Sequence, residues 1–228
     1  MILLTGTKCL KKLAKMSQII YILCDMNNNY MNNIRKKIEE SPCGTIFSYS
    51  DFSDLGIQDS ATIRQNINRL VKENTLRKIK NGIFEKPIFS KLLNQDLPPN
   101  PEKVAEKIAK NFHWNIFPCG DIALNKLGLS TQIPASWTYL SDGPYKEYQF
   151  ENFKITFKHR TNREISGMSY ITVLLIQALK TLEKDNVDEN IIKILKSKLN
   201  VEDKNKILAE STEASDWIKK IIYKICEA

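Results

Sequence analysis

The sequence has few of the side chains that build metal sites and catalytic centres. Its five cysteines are odd in number, and no two of them have the Cys-x-x-Cys spacing of zinc sites or redox motifs. It has only two histidines, His113 and His159, and neither lies near a pair of cysteines. We therefore expect a cytoplasmic protein with reduced thiols and with no metal ion or cofactor.

Hydrophobic runs long enough to span a membrane are also missing. The apolar segment IIYILC, residues 19–24, follows lysines in residues 8–15 much as in a signal peptide. It is too short to span a bilayer, and no Ala-x-Ala-like cleavage site follows it. We expect no membrane association, and we interpret residues 1–30 as an extension, an upstream translation start or a loosely attached helix.

Signatures of common enzyme classes are absent as well. The sequence contains no P-loop, no G-x-S-x-G and no H-E-x-x-H. A nuclease of the restriction-enzyme type needs Glu and Lys on one face of a strand. Here Asp142 is followed by Glu151 and Lys154, whose spacing of three places them on opposite faces. Asp121 starts a helix, where it suits a cap or a first-turn charge. We therefore predict that the protein is not an enzyme.

Positive charge is present in excess, and it is concentrated in the first part of the chain. The 228 residues carry a net charge of +8. Residues 1–92 contain 15 Lys and Arg against 8 Asp and Glu, whereas residues 93–228 contain 19 against 18. This distribution favours a polyanionic partner for the first part, because cationic side chains gain affinity by releasing counterions from phosphates.

A cluster of prolines predicts the domain boundary. Pro98, Pro99 and Pro101 cannot continue a helix or a central strand, and Pro101 suits the first turn of a new helix. We predict a first domain at residues 31–92, a linker at 93–100 and a second domain at 101–228. The elements described next predict an α+β fold for the chain.

The first domain has the pattern of a winged helix-turn-helix. The predicted order is a helix at residues 33–41, a strand at 45–50, a short helix at 50–56 and a third helix capped by Ser60. Two short strands follow, joined at Asn81–Gly82, which is a strong hairpin signal. Helix, strand, helix, helix and hairpin is the layout of a winged helix-turn-helix.

The third helix has the composition of a DNA-recognition helix. Ile63, Ile67, Leu70 and Val71 form a single apolar stripe. In a helix-turn-helix this helix enters the major groove, where Gln and Asn make paired hydrogen bonds to adenine and Arg makes them to guanine. The predicted DNA-binding residues of this helix are Thr62, Arg64, Gln65, Asn68, Arg69 and Lys72. The alternative is that this face is merely solvated.

The hairpin supplies a basic wing beside that helix. Arg77, Lys78, Lys80 and Asn81 lie within five positions, and we expect them to contact the phosphate backbone or the minor groove. Tyr49, before the second helix, is predicted to add a further contact. Lys36 and Lys37 of the first helix are candidates for phosphate contacts.

The second domain is predicted to be α+β and to end in helices. A helix at residues 101–112 and a short helix at 120–129 precede strands at 136–143 and 148–160. Three or four amphipathic helices follow from Ser169 onward. Alternation in the second strand predicts one buried face and one basic face.

Two regions resemble the AbiEi-type antitoxin family. The first comprises GTIFSYSDF (Gly44–Phe52) and ATIRQNINRLVKENTLRKIKNGIFEKP (Ala61–Pro87), with the wing pattern L-x-K-I-x-x-G-I-F-x-x-P. The second is GDIALNKLGLSTQIPASWTYLSDGP (Gly120–Pro144), which is similar to the family's second domain. The resemblance covers about residues 31–180.

This resemblance implies an antitoxin of a type IV toxin–antitoxin system, linked to bacterial abortive infection and phage defence. Its winged helix-turn-helix would bind repeats of double-stranded DNA in its own promoter and act as a repressor, an arrangement that accommodates a homodimer. Its functional partner would be a nucleotidyltransferase-like toxin, with which it need not form a stable complex. The alternative is a winged-helix transcriptional regulator with a ligand-sensing or dimerisation domain.

A second basic cluster lies in the second domain. It comprises Lys154, Lys158, His159, Arg160 and Arg163. We expect it to contact RNA, to extend the DNA footprint or to meet an acidic toxin surface. The alternative is an ordinary solvated face of a sheet.

Overall fold

The computed structural model describes residues 29–57, 59–160 and 167–227, so the expectations for residues 1–28 and for Arg163 lie outside the described residues. The chain divides into two compact units, with the boundary between Asn100 and Pro101. The fold class is α+β, as predicted. None of the described helices is both long and apolar enough to cross a membrane.

The first unit contains helices that pack on a small antiparallel sheet. Its elements are α1 (29–40), β1 (Ile46–Ser48), a 3-10 helix (Tyr49–Leu55), α2 (Ser60–Lys72), β2 (Arg77–Lys80), β3 (Ile83–Glu85), β4 (Phe89–Ser90) and β5 (Gln95–Asp96). The strand order of the sheet is β1-β3-β2. This is the predicted winged helix-turn-helix layout, with a 3-10 helix as its second helix.

The core of the first unit follows from the apolar stripes seen in the sequence. Ile34 and Ile38 of α1 are fully buried, and so are Ile67 and Leu70 of α2. They pack with Phe52 of the 3-10 helix in one hydrophobic cluster. Each such side chain contributes about 1.5–3 kcal/mol by leaving water. This packing fixes which face of α2 points outward.

The predicted linker at residues 93–100 is wrong in its first part. Strands β4 and β5 form a small antiparallel hairpin. The backbone N–H of Leu97 donates to the carbonyl of Ile88 at 2.8 Å, and the Arg77 guanidinium also donates to the carbonyl of Leu97, at 2.6 Å. Residues 93–97 therefore belong to the first unit. Strands of two residues are too short to show an alternating pattern in a sequence.

The second unit combines a four-stranded sheet with a group of helices. Its elements are α3 (Pro101–Phe112), β6 (Ile116–Pro118), α4 (Asp121–Lys126), β7 (Ser136–Ser141), β8 (Lys146–Gln149), β9 (Lys154–His159), α5 (Tyr170–Leu182), a 3-10 helix (Lys184–Asn186), α6 (Glu189–Lys198), α7 (Val201–Glu210), a second 3-10 helix (Ser211–Glu213) and α8 (Asp216–Cys226). The strand order is β6-β7-β9-β8, with β7 and β9 parallel.

The strand predicted at residues 148–160 is two strands. β8 and β9 pair in antiparallel fashion, and the backbone N–H of Phe150 donates to the carbonyl of Phe153 at 2.9 Å. The two aromatic rings stack with their centroids 4.6 Å apart. Because the turn contains no glycine or proline, the alternation of apolar residues continues through it. The sequence pattern therefore does not reveal where β8 ends. Thr156 alternates with the apolar residues of β9 and so lies on the face that was predicted to be basic, but it is buried.

Glu210 of α7 caps the beginning of α5. Its carboxylate accepts hydrogen bonds from the backbone N–H of Ser169 at 2.7 Å, from the Ser169 hydroxyl at 2.7 Å and from the Thr172 hydroxyl at 2.6 Å. Burial alone would raise the pKa of Glu210, but the hydrogen bonds from Thr172 and Ser169 outweigh it, so the pKa is lowered. The cap therefore favours the ionised carboxylate.

Replacing Glu210 by Gln is expected to lower the free energy of unfolding by about 1–3 kcal/mol at neutral pH, because the α5 cap loses its charged acceptor. Since the folded-state pKa is depressed, this contribution is complete above the ordinary carboxyl pKa and is lost as the pH falls through the folded-state value. Urea denaturation at pH 7 and pH 3 measures it. Glu202→Gln removes an exposed carboxylate of the same helix and is the control, for which a much smaller change is expected. A destabilisation that is the same at both pH values would contradict the assignment.

Trp114 packs directly against the backbone of Gly143. A Cβ atom at residue 143 would lie 2.4 Å from Trp114 Cε2, and the indole also meets the ring of Phe157 edge-on. We expect Gly143→Ala to lower the free energy of unfolding by about 1–3 kcal/mol through overpacking, as measured by urea denaturation. In a Trp114→Ala background the added methyl group has space, so its further cost should vanish. An equal cost in both backgrounds would exclude a clash with Trp114.

Candidate nucleic-acid interface

The exposed face of α2 is the centre of the candidate interface. Gln65, Asn68, Arg69 and Lys72 are all exposed, whereas Ile63, Ile67 and Leu70 on the other side are buried. Helical spacing places the polar side chains on one continuous surface. That surface therefore presents amide and cationic donors to the solvent, as the sequence predicts.

Asp59, and not Ser60 as predicted, caps the beginning of α2. Its carboxylate accepts hydrogen bonds from the backbone N–H groups of Ala61 at 2.9 Å and Thr62 at 3.2 Å. These backbone hydrogen bonds, with that of the Thr62 hydroxyl, hold the pKa of Asp59 below its usual range. Both residue types are good caps, and the sequence pattern cannot decide between two adjacent ones.

This cap limits what the first turn of α2 can contact. The Thr62 hydroxyl donates to Asp59 Oδ2 at 3.1 Å, so it is already engaged within the protein. The Asp59 carboxylate also takes up the backbone N–H groups that would otherwise attract a phosphate. Contacts to DNA are therefore expected from residues 64–72, and Thr62 offers mainly its methyl group.

The β2–β3 hairpin forms the wing. Its turn is at Asn81–Gly82, where Gly82 has a φ of 78°, a conformation that favours glycine. Lys78 and Asn81 are exposed and Lys80 is half-buried. The pairing register shifts between Lys78 and Lys80. The predicted hairpin is confirmed, and it carries basic residues near its tip.

Tyr49 connects the wing to α2. Its ring meets Phe84 of β3 edge-on, with the centroids 5.2 Å apart. The guanidinium carbon of Arg64 lies 5.8 Å from the centre of the same ring. Cation–π attraction at this distance restricts where the Arg64 side chain can point. Tyr49 therefore contacts both the wing and Arg64, an arrangement that the sequence pattern does not reveal.

Two more of the predicted contacts are engaged inside the first unit. Arg77 forms an ion pair with Glu85, which is only 2% exposed, and also donates to the carbonyl of Leu97. Lys37 forms an ion pair with Asp54 at 2.7 Å. If Arg77 moved away to contact DNA, the buried Glu85 carboxylate would lose its cation, so we leave Arg77 out of the candidate interface. Lys36 remains exposed.

The second basic cluster does not form one uniform basic surface. Lys154 pairs with Glu147 at 2.7 Å, which raises the pKa of Lys154 and lowers that of Glu147. His159 Nδ1 lies 2.8 Å from the carbonyl oxygen of Gly143. Lys158 is exposed, and Arg160 borders a cavity. Arg163 lies outside the described residues.

In the part of the chain that the structure describes, no group of three His, Cys, Asp or Glu side chains is arranged to hold a metal ion.

The candidate site consists of Arg64, Gln65, Asn68, Arg69 and Lys72 on α2, together with Lys78, Lys80 and Asn81 on the wing. We call this set the α2–wing surface.

Comparison with known proteins identifies one family. A model described as "Family of unknown function (DUF6088)" matches residues 33–207, which include the α2–wing surface and most of the second unit. No curated protein matches the chain.

Proposed function

This chain belongs to the DUF6088 family, and we propose that its first unit binds double-stranded DNA through the α2–wing surface. The observation that carries this proposal is the exposed face of α2, which presents Gln65, Asn68 and Arg69 beside the basic tip of the hairpin. No acidic side chain lies on that face from Ala61 to Lys72.

The chemistry of this surface suits the major groove. Gln65 and Asn68 can each make two hydrogen bonds to an adenine, and Arg64, held near Tyr49, can make two to a guanine. The wing residues would rest on the phosphate backbone or in the minor groove. In this arrangement α2 would read the bases, and the wing would position the protein on the DNA backbone.

We further propose that the protein is a cytoplasmic, non-enzymatic antitoxin that represses its own promoter and opposes a nucleotidyltransferase-like toxin. Support for this role comes from the resemblance of Gly44–Phe52, Ala61–Pro87 and Gly120–Pro144 to AbiEi-type antitoxins. Repeats in the promoter would accommodate a homodimer. In the type IV arrangement the antitoxin need not hold its toxin in a stable complex.

A second candidate is an ordinary winged-helix transcriptional regulator whose second unit senses a ligand or dimerises. A cavity of about 610 Å³ in the second unit favours ligand sensing. Finding a neighbouring gene for a nucleotidyltransferase-like protein would favour the antitoxin over this regulator.

Expression in cells tests both parts of the proposal. The full-length chain should repress a reporter placed under its own promoter, and a Gln65→Ala/Asn68→Ala variant should not. It should also restore growth to cells that express a nucleotidyltransferase-like toxin encoded next to it. Repression of the reporter without restored growth would contradict the antitoxin role and favour the transcriptional regulator. Absence of repression by a stably expressed chain would contradict DNA binding at that promoter.

A further inference from the structure

The second unit contains a cavity that the DNA-binding proposal does not use. It lies among β7, the end of β9, α5 and the segment that precedes α8, and its volume is about 610 Å³. Pockets for small molecules have volumes of about 300–1,000 Å³. The cavity therefore has the size of a small-molecule site.

The floor of the cavity is apolar. Leu140 of β7 and Val173 and Ile176 of α5 line it, and all three belong to the buried core of the unit. Because these side chains are held by core packing, the floor is preformed. An apolar ligand group placed there would leave water without rearranging the protein.

One face of α5 runs from this apolar floor to a charged rim. Val173, Ile176, Gln177 and Lys180 line the cavity at positions i, i+3, i+4 and i+7, which share one side of a helix. Val173 is buried and Lys180 is exposed. The seven steps between them cover about 10 Å along the helix axis. A ligand lying along this face would meet a gradient from apolar to cationic.

Among the described residues that line the cavity, two are cationic and one is anionic. The cations, Arg160 and Lys180, come from different elements, and Glu213 is the anion. A guanidinium group binds a carboxylate through two parallel hydrogen bonds, and an ammonium group adds a point charge. The charged rim thus favours an anionic head group.

We propose that this cavity binds a small amphipathic carboxylate, with its apolar tail on the floor and its head group near Arg160 and Lys180. Such binding would give the second unit a ligand-sensing role. The inference does not depend on whether the first unit binds DNA.

Titration of the full-length chain with three eight-carbon probes, followed by ligand-observed NMR, tests the inference. Sodium octanoate should bind more tightly than 1-octanol or octylammonium chloride. Arg160→Gln and Lys180→Gln should each weaken octanoate binding about fivefold and leave octanol binding nearly unchanged. Lys220→Gln, an exposed lysine that does not line the cavity, is the matched control.

A cavity-filling variant identifies the site. Ala214, at the cavity, has an extended backbone conformation that a larger residue can adopt, so Ala214→Phe should abolish binding of octanoate and octanol. Octanoate binding that survives this change in a folded variant would overturn the inference. Equal binding of octanoate and octanol, or tighter binding of octylammonium, would overturn it as well.

Discussion

Replacing Arg77 by Ala is expected to lower the free energy of unfolding by about 3–5 kcal/mol, because it leaves the buried Glu85 carboxylate without its cation. Arg77 Nε lies 3.1 Å from Glu85 Oε2, and the Nη2 atom donates to the same oxygen. Nη2 also donates to the carbonyl of Leu97, so the substitution releases the β4–β5 hairpin from the wing. Urea denaturation followed by circular dichroism measures the loss.

Two variants separate this structural role from a role in DNA binding. Lys78→Ala, on the same strand but exposed, should change stability by about 0.5 kcal/mol or less. The double substitution Arg77→Met/Glu85→Leu removes both charges and should recover most of the stability that Arg77→Ala loses. A stable Arg77→Ala variant with weakened DNA binding would instead support the original prediction that Arg77 contacts DNA.

Replacing Gln65 or Asn68 by Ala is expected to weaken the preference for the protein's own promoter DNA over other DNA. The expected loss of binding free energy is about 1–3 kcal/mol for each lost pair of hydrogen bonds to a base. Both side chains are exposed on α2 and point away from its buried stripe, so their removal should not affect folding. Lys80→Ala should act differently, because a phosphate contact carries no sequence information. It should weaken binding to all sequences and flatten the salt dependence.

These effects are distinguished by measuring affinity with fluorescence anisotropy, for the promoter duplex and for a scrambled duplex, at several salt concentrations. Asn33→Ala removes an exposed amide from α1 and serves as the matched control. If Gln65→Ala, Asn68→Ala and Lys80→Ala each weaken the binding of every DNA sequence slightly and equally, the assignment of α2 as a recognition helix is contradicted.

Features that depend on neighbours in sequence could be predicted. Ile63, Ile67 and Leu70 recur at helical spacing, and all three are buried in α2. The Asn81–Gly82 pair forms the turn of the hairpin, and Pro101 is the first residue of α3. In each case a local preference of the backbone and the burial of one face favour the same structure.

Features that depend on distant partners could not be predicted. Arg77 was assigned to DNA because its sequence neighbours are basic, but Glu85 lies directly opposite it in the β2–β3 pairing. Glu210 caps a helix that begins about forty residues earlier. The cavity in the second unit draws its walls from several elements. Only the tertiary fold brings these groups together.

The most direct test of the central claim is a gel-shift titration of the full-length chain with the DNA immediately upstream of its own gene. A random duplex of the same length and composition is the control, at two salt concentrations. The α2–wing surface predicts that the upstream duplex binds about a thousandfold more tightly or better, with both affinities falling as salt rises. Equal affinity for the two duplexes at both salt concentrations would contradict the proposal that this protein reads its own promoter.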